Sequence, residues 1–408
     1  MIKFKSFILV FFTSLISFTL SAQTSALLYN DAVALMKQGK FTEAITIYNK
    51  IIEKTPYYYE AYADRGFCNF NLGKKADALK DFNISVTKNK DYYLVYFYRG
   101  IYYTDINDNT SAISDFNKAL SIKPNFPDAY AKRAMAYELN NELDKAMADY
   151  NKSIEYNKNN QIFYFQRANI YVKQKKLTDA EKDYSKAISL KPDYSEAYYQ
   201  RSKLYWQQAK PTLAINDLSK LIGMNYNLKD VLLDRGNAYF QIKKYAEALQ
   251  DFNRLTEELK VKDAVIFIKK ANCNTALGNT DLALKDYTKV INLDRSNEDA
   301  LIKRADLYVK TNKTPLAIAD YRRVLTINPD NPDAYIGRAK MYINQKRYDL
   351  AMEDLNQSIK IKASGEAYYW RGAVKSIKND SKGACTDLKT AANMGFEEAQ
   401  AKVDELCP

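Results

Sequence analysis

The sequence predicts an all-α chain, an α-solenoid of about eleven helix hairpins, on three observations. First, small residues recur every 34 positions or within one of that: Ala32, Gly66, Gly100, Ala134, Ala168, Ser202, Gly236, Ala271, Ala305, Ala339 and Gly372. A second small series trails the first by twelve, from Ala44, Ala78 and Ala112 through Ala317, Ala351 and Ala384. Second, apolar residues in both halves of a unit fall at helical spacing, as in Tyr130, Ala134 and Tyr137, then Ala146, Tyr150 and Ile154. Third, polar stretches such as "LNNELD" split the halves, and Pro56, Pro124, Pro192 and Pro329 end units where a helix cannot continue.

The elements follow in order. Lys3 and Lys5 precede an apolar run, Phe7–Leu20, and small Ala22 stands before Gln23, so residues 1–22 read as a secretory signal peptide. An uncleaved anchor is the alternative, although the run is short for a membrane span. After signal cleavage no stretch is long and apolar enough to cross a membrane, and the mature chain is expected to be exported, periplasmic or extracellular. The array covers residues 25–398, with units starting near 25, 59, 93, 127, 161, 195, 229, 264, 298, 332 and 365. Asp263 is a one-residue insertion and the tenth unit is one residue short; the joint around 223–228 and 256–263 lacks proline and is expected to stack differently. The last stretch, 397–408, reads as a solvating cap helix of the kind a stacked array needs.

Into these apolar faces the sequence places two ladders of charge. First-helix cations run Arg65, Arg99, Arg133, Arg167, Arg201, Arg235, Lys270, Arg304, Arg338 and Arg371. Second-helix acids follow sixteen residues later: Asp81, Asp115, Asp149, Asp183, Asp217, Asp251, Asp286, Asp320, Asp354 and Asp387. The first unit has Asp31 and Ile47 at those places, so the two charges are missing together. That joint absence favours pairing inside one hairpin (Arg133 with Asp149, Arg167 with Asp183, Arg201 with Asp217). Pairing across adjacent units is the competitor and would leave Arg65 without an acid. Ten identical couples read as structure, not catalysis.

Small residue, tyrosine, alanine, aromatic and terminal proline at this spacing resemble the tetratricopeptide repeat; the departure is arginine where that family usually has leucine. The resemblance implies a right-handed superhelix whose first helices line a concave groove. Carried onto this chain, one groove row runs Ala63, Phe97, Ala131, Phe165, Tyr199, Leu233, Ile268, Ile302, Ile336 and Tyr369. A second holds Asn169, Lys203, Asn237, Asn272, Asp306 and Lys340, and a third holds Phe70, Val172, Trp206, Phe240 and Ile343. Residues 161–245 form the strongest candidate surface, with Phe165, Asn169, Tyr199, Lys203, Trp206, Asn237 and Phe240; Phe97, two units earlier, joins the candidate groove residues. Exposed aromatics in a concavity anchor peptides; the competing reading buries these rows under neighbouring units. The carboxylate-clamp mode known in that family needs a first-row lysine, which is absent here.

The rest of the sequence narrows function by exclusion. The chain has no histidine, which removes imidazole-based nucleophile systems and HExxH metal sites. No GxGxxG or P-loop occurs, no cofactor or metal is expected, and the chain is not read as an enzyme. Cys68 and Cys273 occupy equivalent core places, whereas Cys385 and Cys407 are candidates for a disulfide that would staple the cap. The net charge of +12 is scattered over short runs, which argues against nucleic-acid binding. The expected function is a protein–protein interaction scaffold holding peptide or helical segments of partner proteins; the alternative is a structural subunit of a bacterial envelope assembly or secretion machine.

Overall fold

The computed structural model describes residues 25–407; the expected signal peptide over 1–22 lies outside the described residues. The chain forms two compact units divided between Leu204 and Tyr205. The first holds α1 (25–37), α2 (Phe41–Lys54), α3 (Tyr59–Asn71), α4 (Lys75–Lys88), α5 (Tyr93–Asp105), α6 (Asn109–Ile122), α7 (Pro127–Leu139), α8 (Leu143–Tyr156), α9 (Gln161–Lys173), α10 (Leu177–Leu190) and most of α11 (Ser195–Gln207). The second holds α12 (Pro211–Gly223), α13 (Leu228–Gln241), α14 (Tyr245–Asn253), α15 (Ala264–Ala276), α16 (Thr280–Leu293), α17 (Glu298–Lys310), α18 (Thr314–Ile327), α19 (Pro332–Asn344), α20 (Tyr348–Ile361), α21 (Gly365–Ile377), α22 (Ser381–Asn393) and α23 (Glu397–Leu406). No strand occurs among the described residues.

Within each unit an odd-numbered helix packs against the even-numbered helix that follows it, and that second helix packs against the next first helix. First helices of consecutive hairpins also touch, as α3 with α5 and α17 with α19, so they share one face of each stack. A single hairpin has two apolar sides and only one partner, which is why burial is completed by its neighbours.

Each hairpin turns through a residue with left-handed backbone, at the same place in all eleven repeats from Gly39 (φ 74°) to Asn379 (φ 66°). At Gly73 the geometry is a helix-ending motif: its N–H donates to Phe70 O and that of Lys74 to Asn69 O, both at 2.9 Å. Asparagine tolerates the same conformation at Asn107, Asn141 and Asn312, while Lys175, Lys243 and Lys346 adopt it against their preference.

Close approach of the two helices explains the small residues. A Cβ on Gly66, Gly100 or Gly236 would lie 2.6–2.7 Å from the ring of Phe82, Phe116 or Phe252 respectively. Where the second helix offers tyrosine instead (Tyr48, Tyr150, Tyr184, Tyr287, Tyr321), the facing residue is alanine: Ala32, Ala134, Ala168, Ala271 and Ala305. These phenylalanines, tyrosines and alanines are buried and form the spine of the core.

At the proline-free joint, α14 stops after nine residues and passes into a π-helical turn, Arg254–Glu258. The extra residue is thus taken up partly as a widened turn, with Leu255 buried beneath it. At the other end, Cys385 on α22 and Cys407 after α23 form a disulfide with Cα atoms 5.5 Å apart. Closing that loop is worth about 3 kcal/mol in the chain-entropy account. Cys68 and Cys273 are buried free thiols, and burial pushes each up to about 12.

The Gly–Phe contact yields a test. Gly100→Ala should cost roughly 1–3 kcal/mol through overpacking against Phe116, and adding Phe116→Leu in the same chain should recover most of the loss. Urea denaturation of the two variants would read this; equal stability of G100A and the parent would mean that the ring yields freely.

Candidate partner-binding face

The charge ladder comes first, because it sets how first helices are presented. Arg133 on α7 donates from Nε to Asp149 Oδ2 and from Nη2 to Asp149 Oδ1, both at 2.7 Å. Its remaining arm, Nη1, donates to Asn117 Oδ1 of the preceding hairpin at 2.6 Å. Arg65, Arg99 and Arg167 repeat this forked pairing with Asp81, Asp115 and Asp183, and reach back to Asn49, Asn83 and Asn151. In the second unit Arg235, Arg304 and Arg371 do the same with Asp251, Asp320 and Asp387, and their third arms find Ser219, Thr288 and Asn356. The acid is therefore the hairpin's own, while a neutral acceptor comes from the neighbour. Arg65 is served by Asn49 even though the first hairpin lacks the acid.

Tyrosine rings flank these guanidiniums. Arg99 lies 5.7 Å from the centre of Tyr96 and 5.9 Å from Tyr103, and Arg133 and Arg167 sit likewise between tyrosines. Arg201 and Asp217 fall in different units; within its own unit Arg201 donates to Ser185 Oγ at 2.9 Å. Lys270 is the weak rung. Its Nζ stands 3.9 Å from Asp286 and instead contacts Glu257 at 3.1 Å, on the π-helical turn. Burial pushes the Asp286 carboxyl up, with Lys270 and Lys289 only partly opposing it.

The candidate groove residues divide between the units: Phe97, Phe165, Asn169, Tyr199 and Lys203 in the first, Trp206, Asn237 and Phe240 in the second. Phe97 and Phe165 are half-buried. Phe97 packs 4.7 Å from Phe126, and Phe165 packs 5.1 Å from Tyr194, centre to centre. Asn169 accepts from the Tyr184 hydroxyl at 2.6 Å, so that amide anchors the hairpin as well as facing outward. Lys203 is exposed, its Nζ 4.1 Å from the centre of the Tyr199 ring. Trp206 is 42% exposed, the only exposed tryptophan or phenylalanine among the described residues. Asn237 Oδ1 is buried with no protein partner, and the Phe240 ring lies against Tyr245 at 5.4 Å. The phenylalanines are half covered, and Trp206 and Lys203 stand open.

Two features escaped the sequence reading. Second-helix tyrosines pass under the first helix and bond its outward row: Tyr184 to Asn169, Tyr287 to Asn272 at 2.7 Å, Tyr321 to Asp306 at 2.6 Å. Where that row offers Met135, the Tyr150 hydroxyl is left buried and unpartnered. Near the start of the array, Asp64 on α3 is buried among tyrosines. Its Oδ2 accepts from Tyr29 at 2.6 Å and Tyr48 at 3.4 Å, and Oδ1 is unpartnered. Burial pushes this carboxyl up to about 6, against the tyrosine hydrogen bonds that favour its charge.

Among the described residues no cluster suited to a metal ion occurs, and no helix is long and apolar enough to cross a membrane.

Paired antiparallel helices with this spacing and packing define a helical-repeat array, and the comparisons name its kind. Models of the tetratricopeptide repeat match residues 29–93, 95–126, 127–160, 199–260, 264–297 and 332–364, and a TPR repeat model matches 168–208 and 305–346. The chain belongs to the tetratricopeptide-repeat family, whose members are generally non-catalytic scaffolds that bind proteins. No curated protein matches it. The C-terminal part of a TPR repeat-containing protein from Cytophaga hutchinsonii is 24% identical, with a TM-score of 0.50 over 59% of this chain and 98% of that one. Yeast Tom70 is 15% identical, with a TM-score of 0.38 over 94% of this chain and 96% of its own. MamA from Desulfovibrio magneticus RS-1 is 16% identical, with a TM-score of 0.37 over 42% and 96%. The first likeness shows the fold alone.

Two outcomes follow from this geometry. Arg167→Ala should destabilise α9 and α10 by about 3 kcal/mol, because Asp183 is left buried and unpaired; replacing both by leucine should recover much of that, read by amide exchange. Asp64 carries the second. A carboxyl held above its ordinary value of 3.8 favours the fold when protonated. Its contribution is present at low pH and lost as pH rises through about 6. Asp64→Asn should therefore melt higher than the parent at pH 7.5, with the gap narrowing by pH 4.5; a pH-independent gap would remove titration as the cause.

Proposed function

We propose that the chain is a non-enzymatic scaffold that holds peptide or helical segments of partner proteins against its first-helix face. The observation that carries this is the character of that face. Trp206 on α11 is open to solvent, a large ring at a place where a merely solvated helix would carry lysine or glutamate, and one turn earlier Lys203 lies over the Tyr199 ring. In the second unit, half-buried Phe240 and the unpartnered Asn237 carbonyl stand on α13. Amide and ring together suit an extended backbone, the ring supplying area and the amide a hydrogen bond.

The working compartment belongs to the same reading: an exported chain acting in the periplasm or outside the cell. The basic, apolar N-terminal run supports it, and so does a disulfide at the cap, since such bonds persist in oxidising surroundings. A lack of histidine fits a protein whose work is binding.

Trp206→Ala/Phe240→Ala tests the face. Partner proteins recovered with the tagged chain from the exporting cell, quantified by mass spectrometry, should fall at least roughly tenfold for a surface carrying hot-spot aromatics, with the helical circular dichroism unchanged. Equal recovery would reject this face as the binding surface.

A further inference from the structure

One hairpin of the second unit differs from all others on its outward face. The residue before each ladder cation is large or polar everywhere else (Asp234, Lys269, Lys303 and Trp370 in this unit), but before Arg338 it is Gly337. A cavity of about 520 Å³ lies beside it, between α17 and α19. Tyr321 occupies the gap from below, with a ring carbon 2.5 Å from where a Cβ of Gly337 would sit. Its hydroxyl fixes Asp306 at the cavity wall through a 2.6 Å hydrogen bond.

The walls combine two chemistries. Ile302, Val309, Ile336 and Met341 give an apolar surface, and Asp306, Asp333 and Glu366 bring carboxylates. Lys340 is neutralised by Glu366 at 3.1 Å. Asp306 and Asp333 face the cavity with no cation paired to either among the described residues, against Lys310 alone. An acidic, partly apolar hollow stands out in a chain whose net charge is +12.

We propose that this cavity takes a basic side chain, arginine above all, from an extended segment of the bound partner. The aliphatic stem lies on Ile302 and Ile336, and the guanidinium reaches Asp306 and Asp333. Tyr321 leaves one oxygen of Asp306 available and fixes its rotamer, so little side-chain entropy is lost on binding. The inference rests on the scaffold reading above and assigns one residue class of its ligand.

Selection of a random twelve-residue display library on the immobilised full chain tests it. Enrichment of arginine or lysine at one position, lost with Asp306→Asn/Asp333→Asn, is the expected result. A selected peptide resynthesised with citrulline for that arginine should bind at least roughly tenfold more weakly. Asparagine can still accept from Tyr321, so the double variant should keep the fold, and Asp333→Asn alone gives a second, milder check. Enrichment of acidic residues would make Lys310 and Lys340 the operative groups and overturn the proposal. So would binders that lose affinity with Trp206→Ala/Phe240→Ala but not with the aspartate variants, an outcome that leaves the scaffold reading standing. A library yielding no binder to the parent chain would overturn both.

Discussion

The arrangement depends on a guanidinium that is shared. Seven of the ladder arginines, Arg133 among them, spend two donors on the aspartate of their own hairpin and one on a neutral side chain of the hairpin before it. A carboxylate removed from water is tolerable only when both oxygens are satisfied, and the fork of arginine does this in one contact. The third arm then has a fixed direction. It finds its acceptor only if the preceding hairpin sits at the correct height and rotation, so one residue ties folding within a hairpin to stacking between hairpins. An amide or hydroxyl is the suitable acceptor there, because it is satisfied without bringing a second buried charge.

The exceptions support that account. Arg338 has Arg322 at the place of the neighbour's acceptor, and only its bonds to Asp354 remain among the described residues. Lys270 cannot fork. It follows the inserted residue and the π-helical turn, where the neighbouring hairpin offers the Thr256 hydroxyl at 3.3 Å and the Glu257 carboxylate at 3.1 Å. A point charge accommodates an altered register that a planar fork would not. The loss of the fork and the distortion of the helix occur at one joint.

Much of this was legible in the chain alone. Recurring small residues, the sixteen-residue charge spacing and the two missing charges of the first unit indicated hairpins and their internal couples. The cross-hairpin acceptors carried the same signal, since Asn83, Asn117 and Asn151 also recur at 34 residues, but polar residues on a second helix read as solvated surface. Left-handed turns at Lys175, Lys243 and Lys346 were invisible to residue preference and visible only through their register with Gly39 and Gly73. The candidate face was read less well. Periodicity tells which residues point outward from a first helix but not how far a neighbour's ring, such as Phe126 beside Phe97, reaches over them. Tyr321 shows the limit plainly: its hydroxyl bonds Asp306 on the preceding helix while its ring lies against Gly337 sixteen residues later, and neither contact is written in the periodicity.

What the ladders and the small–aromatic contacts constrain is nearly identical from repeat to repeat, and residues that do the same thing in every hairpin cannot tell one ligand from another. Discrimination has to come from the positions those contacts leave free. There are few of them: the outward row that runs through Asn169, Lys203, Asn237 and Asp306, the residue before each cation, and the ends of the first helices. Their side chains vary along the array, and the departures from the common pattern gather there, in Trp206, the unpartnered Asn237 carbonyl and Gly337. A frame this repetitive makes its irregular outward residues informative, because packing does not require them to be what they are.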